Sequence, residues 1–99
     1  MHGDRKMFVG ICRLGLILPE GNSLKDKRNI IKSIMERLRH RFNISIAEVE
    51  HQDALRRAGI GFAVVSNEKS HLEKMMNSVV NHIELDGRVE IESIESEIH

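Results

Sequence analysis

MFVGICRLGLILPEGNSLKDKRNIIKSIMERLRHRF, residues 7–42, decides the fold. From Met7 to Leu18 both alternations are apolar: Phe8, Cys12, Leu14, Leu16 and Leu18 on one side, Met7, Val9, Ile11 and Ile17 on the other. A strand that is hydrophobic on both faces belongs in the middle of a sheet. Pro19-Glu20-Gly21-Asn22 then breaks the run, and Ser23 with Asp26 three residues later reads as a capping box that opens a helix. The helix is expected to run to about Arg41, because Leu24, Ile31, Ile34, Met35, Leu38 and Phe42 recur at three- and four-residue spacing and leave a charged face opposite.

The rest of the chain follows the same grammar. Ile44 and Ile46 share one strand face while Ala47, Val49 and His51 continue on the other, so a bulge or twist is expected near Ile46. His51 to Arg57 is polar and reads as a hairpin loop. Ile60, Phe62 and Val64 alternate with Gly61, Ala63 and Val65 in a second strand of central character. Ser66 or Asn67 is expected to cap a second helix over about 68–84, with Leu72, Met75, Met76, Val79, Val80 and Ile83 as its stripe. Asp86-Gly87 ends it, and Val89 to Glu92 alternates as an edge strand with one wet face. Strand, helix, strand, strand, helix, strand closes through right-handed crossovers into an α+β, ferredoxin-like βαββαβ plait: a four-stranded antiparallel sheet with both helices on one face. The other face would carry Met7, Val9 and Ile11 beside Gly61, Ala63 and Val65, an apolar patch that predicts a homodimer or higher homo-oligomer.

Ninety-nine residues suffice for one core, so a single domain over residues 7–99 is expected behind a polar, disordered leader, residues 1–6. No apolar run approaches the roughly 20 residues that span a bilayer, and no secretory signal opens the chain, so the expected location is the cytoplasm, away from membrane. Cys12 is alone, which excludes an intrachain disulfide and a cysteine-based zinc site. His71 and His82 lie eleven residues apart and match no helical metal pair. No metal and no cofactor is expected.

The formal net charge is zero, but the charge is not evenly spread. Asn22 to Arg41 carries Lys25, Lys27, Arg28, Lys32, Arg37, Arg39 and Arg41 against Asp26 and Glu36. Glu84 to His99 carries Glu84, Asp86, Glu90, Glu92, Glu95 and Glu97 against Arg88 alone. Cations in the first turns of a helix oppose its dipole, and free N–H groups flanked by Lys25, Lys27 and Arg28 suit a phosphate. The seven cations are therefore the candidate RNA- or phosphate-binding set. A second candidate is the cluster Glu48, His51, Gln52 and Asp53, whose carboxylates and imidazole could serve a small ligand at an oligomer interface.

Phosphate-binding glycine loops, nucleophile elbows and cysteine motifs are all absent, so no catalytic residue is assigned. RNA-recognition modules of this fold stack bases on sheet aromatics, whereas this chain has no Trp or Tyr and three Phe. The glycine-rich arginine loop of acylphosphatases is missing between the first strand and helix. Small-ligand sensor domains share the element order and stay open as an alternative.

Taken together, Ser23-Leu24-Lys25-Asp26-Lys27-Arg28, Phe42 to Val49 with His51-Gln52-Asp53, and Ala63-Val64-Val65-Ser66-Asn67 resemble the YlxP-like family, over about residues 7–94. The resemblance implies a ferredoxin-like fold in small bacterial proteins without an agreed activity or catalytic residues. Their genes often lie beside those of translation initiation factor two and a ribosome-binding factor. What this implies is a non-enzymatic accessory role in ribosome maturation or translation, with ribosomal RNA or a ribosome-associated protein as partner.

Overall fold

The order of elements is β1 (Phe8–Ile17), α1 (Leu24–Arg41), β2 (Ser45–Glu50), β3 (Arg57–Ser66), α2 (Lys69–Glu84) and β4 (Glu90–Ile98). This computed structural model describes residues 6–99, so all of the expected leader except Lys6 lies outside the described residues. The strands form one antiparallel sheet in the order β2-β3-β1-β4, with the two doubly apolar strands in the centre. Gly10 pairs with Val64 and Leu14 with Ile60, which brings the even-numbered residues of both strands to the helix side. There they meet Ile31, Ile34 and Leu38 of α1 and Leu72, Met76, Val79 and Ile83 of α2 in one core. Cys12 lies in that core at 1% exposure, and burial pushes its thiol pKa up.

The capping box at the start of α1 is complete. Ser23 Oγ accepts from the Asp26 backbone N–H at 3.0 Å, and the Asp26 carboxylate accepts from the Ser23 N–H at 3.0 Å. At α2 the expected cap is displaced. Glu68 holds the N-cap position without a side-chain bond, while Ser66 Oγ accepts from the Glu68 N–H at 3.1 Å, one turn short of the helix proper.

The bulge in β2 falls later than the sequence suggested. Ile46 pairs with Phe62 and Glu48 with Ile60 in regular alternation, and the register shifts only between Glu48 and Glu50. A second shift in β4 leaves Glu92 as the extra residue between Ile91 and Ser93. The two shifts lie at the same height of the sheet, where Gly59 faces Glu50 and Gly15 faces Ser93, and Gly15 pairs with Gly59. A Cβ on Gly59 would come within 2.6 Å of Glu50 Cβ, and one on Gly15 within 2.5 Å of Ser93 Oγ. At Gly59 a side chain would strike Glu50 Cβ and its backbone, so glycine is required there, whereas at Gly15 the obstacle is the Ser93 hydroxyl, which can rotate away. The helix-free face is open, with Ile11, Val49 and Val65 exposed on it.

Candidate nucleic-acid interface

Lys25, Arg28 and Lys32 stand at i, i+3 and i+7 of α1 and share its exposed face. None of the three has an ion-pair or hydrogen-bond partner among the described residues. Asp26, the one acid of the first turn, is held below the usual carboxylate range by the hydrogen bonds from Ser23, with the field of Lys25 adding to them. It stays ionised and offsets part of the helix-dipole cost of its basic neighbours.

The other four cations of the expected set have partners. Arg37 pairs with Asp86. Arg39 Nη2 donates to the Ile46 carbonyl at 3.0 Å, across the outer edge of β2. The Arg41 guanidinium stacks over the Phe42 ring at 5.9 Å from its centre. Arg39 and Arg41 are exposed and add positive field at the end of the helix.

Lys27 corrects the sequence reading. It is 0% exposed and touches no solvent. Its ammonium donates to the carbonyls of His51 at 2.5 Å and Ala54 at 2.7 Å, and Glu48 Oε2 stands 3.4 Å away. Two hydrogen bonds to carbonyls and one neighbouring carboxylate, whose Oε2 is itself buried without a hydrogen bond, are what make the buried lysine tolerable. No phosphate can reach it. The signal was present in the spacing: Lys27, Ile31, Ile34 and Leu38 fall at i, i+4, i+7 and i+11, so Lys27 lies in the apolar stripe.

The second candidate cluster does not assemble. Glu48 keeps the phase of Ile46 and faces the helix side, against Lys27, and the bulge after it turns Glu50 to pair with Gly59 on the open side. Gln52 Nε2 reaches back to the Glu48 carbonyl at 3.4 Å, and Asp53 is exposed. His51 alone of the four joins the cleft of about 130 Å³ that the two bulges create on the open face. Arg13, Glu50, Arg57 and Glu92 line the same cleft, with Arg57 and Glu92 ion-paired across it.

Sequence reasoning missed a further cation. Arg88 lies in the acidic C-terminal run, yet its side chain folds back onto α1. Its Nε donates to Asp86 Oδ1 at 3.0 Å, its Nη2 to Asp86 Oδ2 at 2.8 Å, and the same Nη2 to Ser33 Oγ at 3.3 Å. The Arg88 backbone N–H also donates to Asp86 Oδ1, at 2.9 Å. Asp-Gly-Arg was legible as an aspartate turn of this kind, but the partner on α1 was not. The bonds from Arg88, opposed in part by burial, bring the Asp86 carboxyl down to about 2, with the charges of Arg88 and Arg37 contributing. Among the described residues no cluster of His, Cys, Asp or Glu is placed to hold a metal ion, and no helix is long and apolar enough to cross a membrane.

A family model described as "Protein of unknown function (DUF503)" matches residues 9–96. The "Uncharacterized protein YlxP" of Bacillus subtilis (strain 168) is 33% identical over 83 residues, which cover 84% of this chain and 90% of that protein. Among solved structures, the de novo designed protein Foldit4 is similar with a TM-score of 0.54 at 17% identity, over 95% of this chain and 97% of that one. This last likeness is one of fold alone.

Proposed function

From a chain that belongs to the DUF503 family, a family of unknown function, we propose a non-enzymatic accessory factor of ribosome maturation or translation that contacts RNA through the exposed face of α1. One observation carries the reading: Lys25, Arg28 and Lys32 line one helix face without partners among the described residues, in a chain whose formal net charge is zero. Unpaired cations in a row match the spacing of phosphates and release counterions on binding, which is the main source of affinity for a nucleic-acid backbone. Arg39 and Arg41 extend the field. The acidic edge strand β4, with Glu90, Glu92, Glu95 and Glu97, would keep RNA to the helix side. The reading places the protein in the bacterial cytoplasm, as a homo-oligomer joined through the open sheet face with Ile11, Val49 and Val65 in the seam.

The test is binding to small-subunit ribosomal RNA across a salt series, with Lys25, Arg28 and Lys32 changed together to Ala. Lys27 stays unchanged because it belongs to the core. Wild type is expected to show a steep salt dependence, and the triple variant to lose affinity and about two to three units of the log–log slope. Equal binding by both proteins, or none by either, overturns the reading and leaves a protein partner to be sought.

The cleft on the open face favours a second reading, a small-molecule sensor or an enzyme. Its walls combine two guanidiniums, Arg13 and Arg57, with Glu50, Glu92 and His51 over a floor of Gly15 and Gly59. A ligand there would raise the melting temperature with little sensitivity to ionic strength, in contrast to phosphate binding on α1.

A further inference from the structure

We propose that Asp86 is a positioning residue that presents Arg37, a member of the expected set, and Arg88, which is not, as a preformed pair, or fork, for the phosphate backbone of RNA next to the α1 face. The proposal rests on the RNA reading for the identity of the ligand, and on geometry for the site. The Asp86 side chain is 4% exposed, whereas those of Arg37 and Arg88 are 55% and 43% exposed. Each guanidinium is therefore anchored on its inner edge and open on its outer one. Arg88 is held through Nε and Nη2, which leaves Nη1 without a protein partner among the described residues, and Arg37 is held through Nη2, which leaves Nε and Nη1. Ser33 Oγ fixes Arg88 from the helix side. One turn further along α1, Arg39 and His40 border a shallow hollow with Ser33, Glu36 and Arg37. Glu36 is the one carboxylate in that hollow.

A planar guanidinium held at one edge aims its remaining N–H bonds in fixed directions toward a phosphate, and the cost of such a contact is the freedom the long side chain gives up. Here that freedom is already lost at folding, so the fork binds more strongly than an equal number of mobile surface cations. Asp86 cancels one of the two positive charges, and this sets the two explanations against each other. If only the electrostatic field matters, removing the carboxylate strengthens RNA binding. If orientation matters, removing it weakens binding.

The experiment compares the full chain with Asp86→Asn and Arg88→Lys in two titrations, one with small-subunit ribosomal RNA and one with inorganic pyrophosphate followed through the arginine Nε–Hε NMR signals. Arg88→Lys keeps the charge and loses the planar fork, so it carries the test even where Asp86→Asn fails to fold. The fork predicts that both variants bind RNA about tenfold more weakly than wild type. It also predicts that pyrophosphate shifts the Arg37 and Arg88 signals saturably in wild type, ahead of Arg28 and Arg56, and that Arg88→Lys removes the Arg37 response. Asp86→Asn binding RNA more tightly, with Arg88→Lys unchanged, overturns the fork while the RNA reading stands. RNA failing to bind while pyrophosphate shifts Arg37 and Arg88 overturns the RNA reading and upholds the fork as a phosphate site. Pyrophosphate moving all arginine signals alike, or none, overturns the fork.

Discussion

Among the described residues two charged groups are buried at helix borders, and they are built in opposite ways. Lys27 near the start of α1 is a cation sealed among oxygens of the 51–54 loop and Glu48. Asp86 after α2 is an anion held by two guanidiniums that are themselves half in water. The first arrangement bonds the ammonium to two loop carbonyls, sets it beside the Glu48 carboxylate and presents nothing to solvent, so it ties the β2–β3 hairpin to α1 and does no more. The second ties the turn between α2 and β4 to α1 and still leaves guanidinium N–H groups free. A buried charge with buried partners is a structural fastener, and one with exposed partners can also orient chemistry at the surface.

The largest expected effect breaks the sealed arrangement. Lys27→Met leaves Glu48 and two carbonyls without the ammonium, and should cost about 3 kcal/mol in urea denaturation. A loss under about 1 kcal/mol would mean that water replaces the ammonium there and the seal is imaginary. Next comes the Asp86 arrangement, which sharpens the comparison through pH. Its carboxyl titrates lower in the folded chain, about 2 against the ordinary 3.8, so its contribution is present above about pH 4 and lost as pH falls toward 2. The stability gap between wild type and Asp86→Asn should therefore shrink by about 2 kcal/mol over that window, as read from denaturant midpoints at each pH. A gap that is flat with pH would show that Asp86 does not titrate with folding.

Ser23→Ala removes one half of the capping box that sets where α1 begins, and with it the phase that turns Lys27 inward; about 1 kcal/mol is expected in thermal denaturation. The smallest effect belongs to the triple change of Lys25, Arg28 and Lys32 to Ala, which should alter stability by no more than about 0.5 kcal/mol. A large drop in melting temperature would mean that these side chains pack, and that they are not free to meet RNA.

Most of the architecture was legible because hydrophobic period reports burial directly. The doubly apolar runs around Leu14 and Phe62 mark the central strands, and the Ser23–Asp26 pair marks the start of α1. What the period cannot report is a polar residue inside the stripe. Lys27 sits at a core position and was read by its charge alone, although its spacing to Ile31 and Leu38 gave it away. The bulge was expected near Ile46 and lies after Glu48, because the apolar alternation of Ala47 and Val49 is continuous with Ile46 and the slip is carried by backbone pairing to Gly59. That displacement also parts Glu48 from Glu50 and so dissolves the second candidate site. Arg88 was invisible for another reason: its partner on α1, Ser33, is 55 residues away in sequence, and nothing local encodes that approach.

Cys12 gives the fold a built-in clock. It is the only thiol in the chain and sits at 1% exposure beneath α2, so a thiol reagent labels only those molecules in which β1 has parted from its helix. The rate of labelling then counts openings of the native state, without denaturant. If Lys27 fastens the hairpin to α1 as its geometry implies, a loss of about 3 kcal/mol would multiply that rate more than a hundredfold.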